Sequence, residues 1–479
     1  MSAYPTGLPI GAGWVPVAAT EPVIFPYDGS EIGVAPVGDT ALASAAVDAA
    51  VAVRAQVAAL PSRTRREILL GVRDALAGSR TDFESLLVLE SGKPLVDCRT
   101  EVARTIVTLE AAAEEVARLH GETVPLDLLP SGDGLIGFWT RKPIGVVVGI
   151  AGFNYPLLLA AHKIAPAIAA GCPVVCKPAP QTPLATLWLV HLFREALLAA
   201  GAPAAAVQLV TGDAAVGSAL VTDPRVGAVS FTGSAAVGHQ IARAAAPRKV
   251  VLELGSNAAL VVAADADLDA AVGAVLRGGY YASGQACISV QRVLVDASVA
   301  ADFVALLTSR LSEVVVGDPR DARTRVSALI DPKSTSRVLS WVSEAAAAGA
   351  SVIGGGQAGR SVEPTVLVGT ADGVSAWDEE IFGPVVSVRT FASLPAAWKA
   401  VNSSRYGLHA AVFTRSLATA FEAIETLEVG GVIVNEVPGF RSDTMPYGGV
   451  KDSGIGREGP RFAIEELTVT RMAVIRPAV

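Results

Sequence analysis

Cysteine is scarce in this chain: four in 479 residues, at Cys98, Cys172, Cys176 and Cys287, with no C-x-x-C pair. That excludes a disulfide framework and leaves zinc and thioredoxin-like chemistry without a motif, so no metal site is expected. Basic runs are missing too. Lys and Arg number 38 against 46 Asp and Glu, for a net charge of −8, which removes the electrostatic footprint of a nucleic-acid partner. The N-terminal Met1-Ser-Ala-Tyr-Pro5 lacks the basic-then-apolar pattern of a signal peptide, so a reducing cytoplasm is the expected compartment. A long unbroken apolar run is also lacking. Residues 144–161 carry no charge and approach the roughly 20 residues a bilayer requires. Gly145, Gly149, Gly152, Asn154 and Pro156 nonetheless break that stretch into strand, turn and helix, and no membrane partner is expected.

What is present suits a large folded core. Hydrophobic residues make up 51% and charged residues 18%, and the length corresponds to about three folding units. The first hundred residues read as helical, with Ala/Leu-rich stretches at 41–58 and 62–77. Thr81-Asp-Phe-Glu84 has the form of a capping box opening another helix, and 97–120 continues as a long one. Residues 123–143 turn polar and strand-like around Asp133-Gly134. From Ile144, short apolar runs (145–150, 173–177, 207–210, 228–232, 250–254) alternate with helical stretches, as in a parallel sheet covered on both faces. A second such series follows Glu253, which implies two α/β units with a cleft between them. The C-terminal run 467–475 reads as a strand paired with the 123–143 hairpin.

Three G-x-G-x-x-G matches, starting at Gly132, Gly354 and Gly454, lack a strand before and a helix after, and are read as turns. Ser230-Phe-Thr-Gly-Ser234 is a better phosphate cradle, because it ends an apolar strand and opens a helix whose free N–H groups can hold an anion. Lys177 closes another strand, where it could meet a ribose or phosphate, or simply be solvated. Glu253 lies inside the apolar strand Lys249-Val-Val-Leu-Glu-Leu-Gly255. A carboxylate there is either a general base with a raised pKa or half of a buried ion pair. Asn154 follows a strand at its carboxyl end, suited to donating to an oxyanion or to capping the helix at Pro156. Cys287, in Tyr281-Ala-Ser-Gly-Gln-Ala-Cys-Ile-Ser289, is by itself as consistent with an inert buried thiol as with a nucleophile.

Taken in order over nearly the whole chain, these segments resemble the aldehyde dehydrogenase superfamily. The landmarks are Phe153-Asn-Tyr-Pro156, Lys177-Pro-Ala179, Phe231-Thr-Gly-Ser234, Glu253-Leu-Gly-Ser256, Gly284-Gln-Ala-Cys287, Glu379-Glu-Ile-Phe-Gly-Pro384 and Pro446-Tyr-Gly-Gly-Val-Lys-Asp-Ser-Gly454. The resemblance implies three-layer doubly wound α/β sheets with a small β oligomerisation element. Its boundaries would be 1–123 and 144–252 for the dinucleotide-binding domain, 253–454 for the catalytic domain, and 124–143 with 461–479 for the oligomerisation element. It implies NAD or NADP as cofactor, an aldehyde as substrate, and a homodimer or homotetramer.

Roles follow from the same likeness. Cys287 would form a thiohemiacetal and then a thioester, Asn154 and the Cys287 N–H would hold the oxyanion, and Glu253 would activate water. Lys177 and Glu380 would bind the riboses and Gly233 and Ser234 the pyrophosphate, with Leu254 and Phe382 beside the nicotinamide. The loop Val437-Pro-Gly-Phe-Arg-Ser-Asp-Thr-Met-Pro446 looks like that of lactaldehyde and phosphonoacetaldehyde dehydrogenases, with Arg441 matching an arginine that binds charged or hydroxylated substrates. Arg104, Tyr155 and His162 are candidate helpers; unaided, Arg104 would be read as a solvated helix residue and His162 as a core or surface imidazole. Two positions depart from the pattern. Ala286 stands where some phosphate-handling relatives carry an arginine, and Pro180 stands where many NAD-preferring members carry a glutamate on the adenosine ribose, which leaves NADP admissible. The competing functions are an acylating, coenzyme A-dependent semialdehyde dehydrogenase, a non-catalytic ligand-binding relative and a cysteine hydrolase. Glu253 speaks against the first, and no histidine lies near Cys287 in sequence for the last.

Overall fold

The computed structural model describes residues 4–477, so the first three residues of the N-terminal reading and the last two of the 461–479 segment lie outside it. The chain opens with a hairpin, β1 (Thr20–Ile24) and β2 (Glu31–Pro36), followed by four helices: α1 (Thr40–Ala58), α2 (Ser62–Gly78), α3 (Arg80–Ser91) and α4 (Leu95–Glu115). β3 (Glu122–Thr123) and β4 (Ile136–Pro143) come next. Then strands and helices alternate: β5 (Val146–Ile150), α5 (Pro156–Ala170), β6 (Val174–Lys177), α6 (Leu184–Ala199), β7 (Val207–Leu209), α7 (Ala214–Thr222), β8 (Val226–Thr232), α8 (Ala235–Ala245) and β9 (Lys249–Glu253).

β5 to β9 form one sheet in the order β9-β8-β5-β6-β7, all parallel, with Gly454–Ile455 added antiparallel at the β9 edge. Strands such as Val174-Val-Cys-Lys177 are buried along their whole length because helices cover both faces. α5 is buried at every position, which is why residues 144–161, without a charge, belong inside this core. α1 is long and apolar enough to cross a membrane by composition, yet here it buries one face through Ala43, Ala46, Val47, Ala50 and Val57.

A second sheet runs Ser351–Gly354, Thr365–Val368, Val385–Phe391, β11 (Arg292–Asp296), β10 (Ala259–Val262), His409–Phe413, Gly431–Val434, with α9 (Leu268–Tyr280) packed on it. Only the Ser351–Gly354 edge is antiparallel. Thr468–Ile475 pairs antiparallel with β4 along its whole length, and β3 adds a third strand, as the sequence had suggested for the hairpin.

Two expectations change. The first hundred residues are not all helical, since β1 and β2 precede α1. The Thr81–Glu84 capping box also does not open a helix: α3 starts at Arg80 and its N-cap is Ser79, without a side-chain bond. Glu84 is drawn instead to Arg80 at 3.5 Å and to Arg99 of α4 at 3.6 Å.

Candidate active site

The carboxyl ends of β5, β8 and β9 converge on the loop that follows α9. There a cavity of about 370 Å³ is lined by Asn154, Gly233, Ser234, Glu253, Cys287 and Glu380, with Leu254 and Phe382 also on its wall. A larger cavity, about 590 Å³, lies between β1 and the 332–347 helix and touches Pro180. The chemistry belongs to the smaller one, because it holds the thiol.

The loop carrying Cys287 is held under strain. Ala282 (φ 49°) and Ser283 (φ 57°) are left-handed without being glycine, a conformation that survives only when its surroundings fix it. Gly284 must be glycine: a Cβ there would come 2.1 Å from the Gly383 carbonyl oxygen. The fixing bonds come from all sides. The Asp97 carboxylate accepts from the Ala282 N–H at 2.9 Å, the Ser283 hydroxyl accepts from the Ser327 N–H at 2.9 Å, and the Gln285 side chain accepts from the Ile330 N–H at 3.0 Å. The Asn154 amide donates to the Gln285 carbonyl at 2.8 Å. That orients the amide and leaves its second N–H for another acceptor. The Cys287 sulfur lies 3.3 Å from the Tyr447 hydroxyl, among Ile288, Leu408 and Tyr281. Burial pushes the thiol up to about 12, with the Tyr447 contact acting in the opposite direction.

Glu253 ends β9 with both carboxylate oxygens buried and without a hydrogen bond. Burial, and then the charge of Glu458, push it well above the usual carboxylate range. Lys163 at 3.0 Å and Arg441 at 3.4 Å sit on Glu458 instead, with the His162 ring at 3.1 Å. Burial works against its charge, but Lys163 and His162 hold Glu458 well below the ordinary value. The two carboxyls are thus pushed in opposite directions, Glu253 up and Glu458 down.

Whether these residues suit a nicotinamide dinucleotide is decided by what they leave unsatisfied. Ser234 is the N-cap of α8 but its side chain makes no capping bond, so the helix start is open to a phosphate. Lys177 is buried at the end of β6, not solvated, and its ammonium makes one long contact, 3.5 Å to the Pro178 carbonyl. Pro180 lies farther along the same edge of the sheet, beside Gln181. Glu380 accepts from the Ser256 N–H at 2.9 Å, and burial pushes its carboxyl up to about 7. Leu254 presses on α8 so closely that a Cβ at Gly238 would come 2.2 Å from it. Phe382 is a left-handed non-glycine (φ 48°) meeting Phe153 edge-on at 5.8 Å. An open helix start, an under-satisfied ammonium and a carboxylate fit a pyrophosphate flanked by riboses.

The four candidate substrate residues gather in a charged cluster adjoining Cys287. Arg104 is forked onto Asp443 at 3.0 and 2.7 Å and does not lie on a solvated face. His162 is a buried imidazole between Glu458 and Asp443, 3.5 Å from the latter. Tyr155 is half-buried beneath the Lys93 ammonium, which lies 3.8 Å from its ring centre. Arg441 is not at an open mouth. Its side chain is 6% exposed and stacks 3.7 Å over Tyr447, and its Nε–H lies 3.9 Å from Asp443 with no acceptor at hydrogen-bond distance among the described residues. Asn154 does not cap α5, whose N-cap is Tyr155.

No role was legible in sequence for Tyr447, Tyr281, Lys93 or Glu458. Tyr447 sat inside a recognised segment without a function. Tyr281, whose buried hydroxyl has no partner, and the charges of Lys93 and Glu458 were embedded in apolar or glycine-rich stretches, the same signal that singled out Glu253.

A family description for the aldehyde dehydrogenase family matches residues 14–473. The chain is 41% identical over 413 residues to a 3-sulfolactaldehyde dehydrogenase from Priestia aryabhattai, covering 86% of each. Its structure superposes with a TM-score of 0.94, at 36% identity, on aldehyde dehydrogenase 21 from Physcomitrella patens in complex with the reaction product succinate, covering 98% of this chain and 97% of that one. It superposes with a TM-score of 0.93, at 34% identity, on a glyceraldehyde-3-phosphate dehydrogenase from Methanocaldococcus jannaschii complexed with NADP, covering 96% and 100%.

Proposed function

The chain belongs to the aldehyde dehydrogenase family, and from that premise we propose that it oxidises a small aldehyde bearing a hydroxyl or anionic group to its acid, with NAD or NADP. The observation that carries the substrate class is Arg441. A buried guanidinium stacked on the tyrosine that contacts Cys287, its Nε–H no nearer than 3.9 Å to Asp443, can still donate to an oxygen acceptor on whatever fills the site. The similar proteins act on a sulfonated and a phosphorylated aldehyde, or hold a dicarboxylate product, which supports the same reading.

The Cys287 thiolate forms a C–S bond to the aldehyde carbon, and the carbonyl oxygen becomes an oxyanion. The free N–H of the Asn154 amide and the backbone N–H of Cys287 hold that oxyanion. A nicotinamide nucleotide, when bound, would accept the hydride released as the C–H bond of the former aldehyde carbon breaks; Lys177 and Glu380 would hold its riboses, and Gly233 with Ser234 its pyrophosphate. What remains on Cys287 is a thioester. Glu253 takes a proton from water, the hydroxide adds to the acyl carbon, and the C–S bond breaks to release the acid and the thiolate. The buried, hydrogen-bond-free carboxylate of Glu253 supports this hydrolytic route over transfer to coenzyme A.

The working molecule is a homodimer or homotetramer. Ile136, Val469, Met472, Val474 and Ile475 expose apolar side chains on the β3–β4–(Thr468–Ile475) sheet, and that surface suits a second copy. An aldehyde panel assayed with both nucleotides tests the substrate reading. Hydroxylated, sulfonated, carboxylated and phosphorylated short aldehydes should outrun an unsubstituted aldehyde of equal length in kcat/KM. A preference for the unsubstituted one would overturn it.

A further inference from the structure

At the start of α4, charged residues recur at four-residue intervals, Lys93, Asp97 and Glu101; Lys93 and Glu101 are buried and Asp97 is half-buried. Burying charge is costly unless each group has a defined partner, and the partners here share one property. Lys93 donates to the Asn154 carbonyl at 2.7 Å, covers the ring of Tyr155, and is ion-paired with Glu101. The other oxygen of Glu101 accepts from the Leu157 and Leu158 N–H groups at 3.0 and 3.1 Å, which are donors of the first turn of α5. Asp97 accepts from Ala282, the first left-handed residue of the nucleophile loop. One short edge thus grips the segment 154–158 from β5 and the segment 282–287 from α9. These are the two pieces that must meet for the Asn154 amide to face the carbon attacked by Cys287. Asn154 itself joins them, through its bond to Gln285.

We propose that Lys93, Asp97 and Glu101 are positioning residues that set the Asn154 amide against the Cys287 loop. Lys93 and Glu101 fix the amide's backbone and the helix that follows it, while Asp97 fixes the turn that presents the thiol. None of them touches the reacting atoms. This rests on the reading of Asn154 as an oxyanion donor, so the experiment separates the two claims.

The full-length enzyme is compared with Asn154→Ala, with the double variant Lys93→Met/Glu101→Gln, which removes both charges together and leaves an acceptor for α5, and with Asp97→Ala and Asp97→Asn. Three quantities are read: the first-turnover rate of reduced-cofactor formation, KM, and the rate at which iodoacetamide alkylates Cys287. Nucleotide binding and thermal melting report folding. The double variant is expected to slow the first turnover by on the order of tenfold or more, a fraction of what losing an oxyanion donor costs, with KM and alkylation little changed. Asp97→Ala should slow both turnover and alkylation, and Asp97→Asn, which keeps an acceptor oxygen, should recover most of the loss.

If Asn154→Ala is slow while a folded double variant turns over at the normal rate, the positioning role of Lys93 and Glu101 is overturned and the oxyanion reading stands. If Asn154→Ala is itself unimpaired, the oxyanion reading falls, and the inference with it. Should the double variant fail to fold, the Asp97 pair decides: equal rates for Ala and Asn, both normal, overturn the proposal.

Discussion

Cys287 and Glu253 carry the same handicap: each sits where its charged form, the one the proposed mechanism needs, is disfavoured. Raising the pH populates thiolate and carboxylate, so the initial rate at saturating aldehyde and nucleotide should climb from about pH 6 to about pH 9. A flat or falling profile would contradict the raised values of both groups. Arg441 is the other residue whose surroundings make a measurable claim. If its spare N–H binds the substrate's anion, a charge-assisted bond of roughly 1.5–3 kcal/mol is at stake. Arg441→Ala should then raise KM for an anionic aldehyde about tenfold or more, at 1.4 kcal/mol per decade. The same change also strips Glu458 of a partner, so an uncharged aldehyde of similar size serves as the control, and equal losses for both would count against anion binding. Glu253 was legible in the sequence because a lone carboxylate in an apolar strand is conspicuous. That Glu253 is pushed up while Glu458 is held down was not legible, since the groups around Glu458 come from α5 and from the 441 loop, far away in the chain.

Among the elements, the strands of the two large sheets were the most readable, because parallel strands buried on both faces appear as short apolar runs between turn residues. β1 and β2 escaped notice: they are mostly exposed, with Val23 and Ala35 the buried positions, and proline is frequent around them. The capping box at Thr81 failed for a tertiary reason, the pull of Arg99 on Glu84. The C-terminal strand succeeded, and its eight residues pair in register with all of β4. Its exposed apolar side chains make the element-scale test. Met472→Glu combined with Val474→Glu should convert the proposed homodimer or homotetramer to a monomer in light scattering while β4 stays paired. An unchanged mass would show that subunits meet elsewhere.

For the whole molecule, the site exists only because separate parts of the chain close on one another. The first sheet supplies Asn154, Ser234 and Glu253, the second unit supplies Cys287 and Glu380, and the 441–458 stretch supplies the charge that tunes Glu253. No one segment shows this; the likeness to a family did, by setting the landmarks in order, and the geometry then gave each a partner. The central claim is a covalent acyl-enzyme on Cys287 that Glu253 resolves. Rapid mixing of Glu253→Gln with aldehyde and nucleotide, followed by intact-mass and peptide analysis, tests it most directly. The expected result is a burst of reduced cofactor near one equivalent per site, a slow steady state, and an acyl mass increment on the Cys287 peptide that is absent from Cys287→Ala. No burst and no adduct, or an adduct on another residue, would contradict the account.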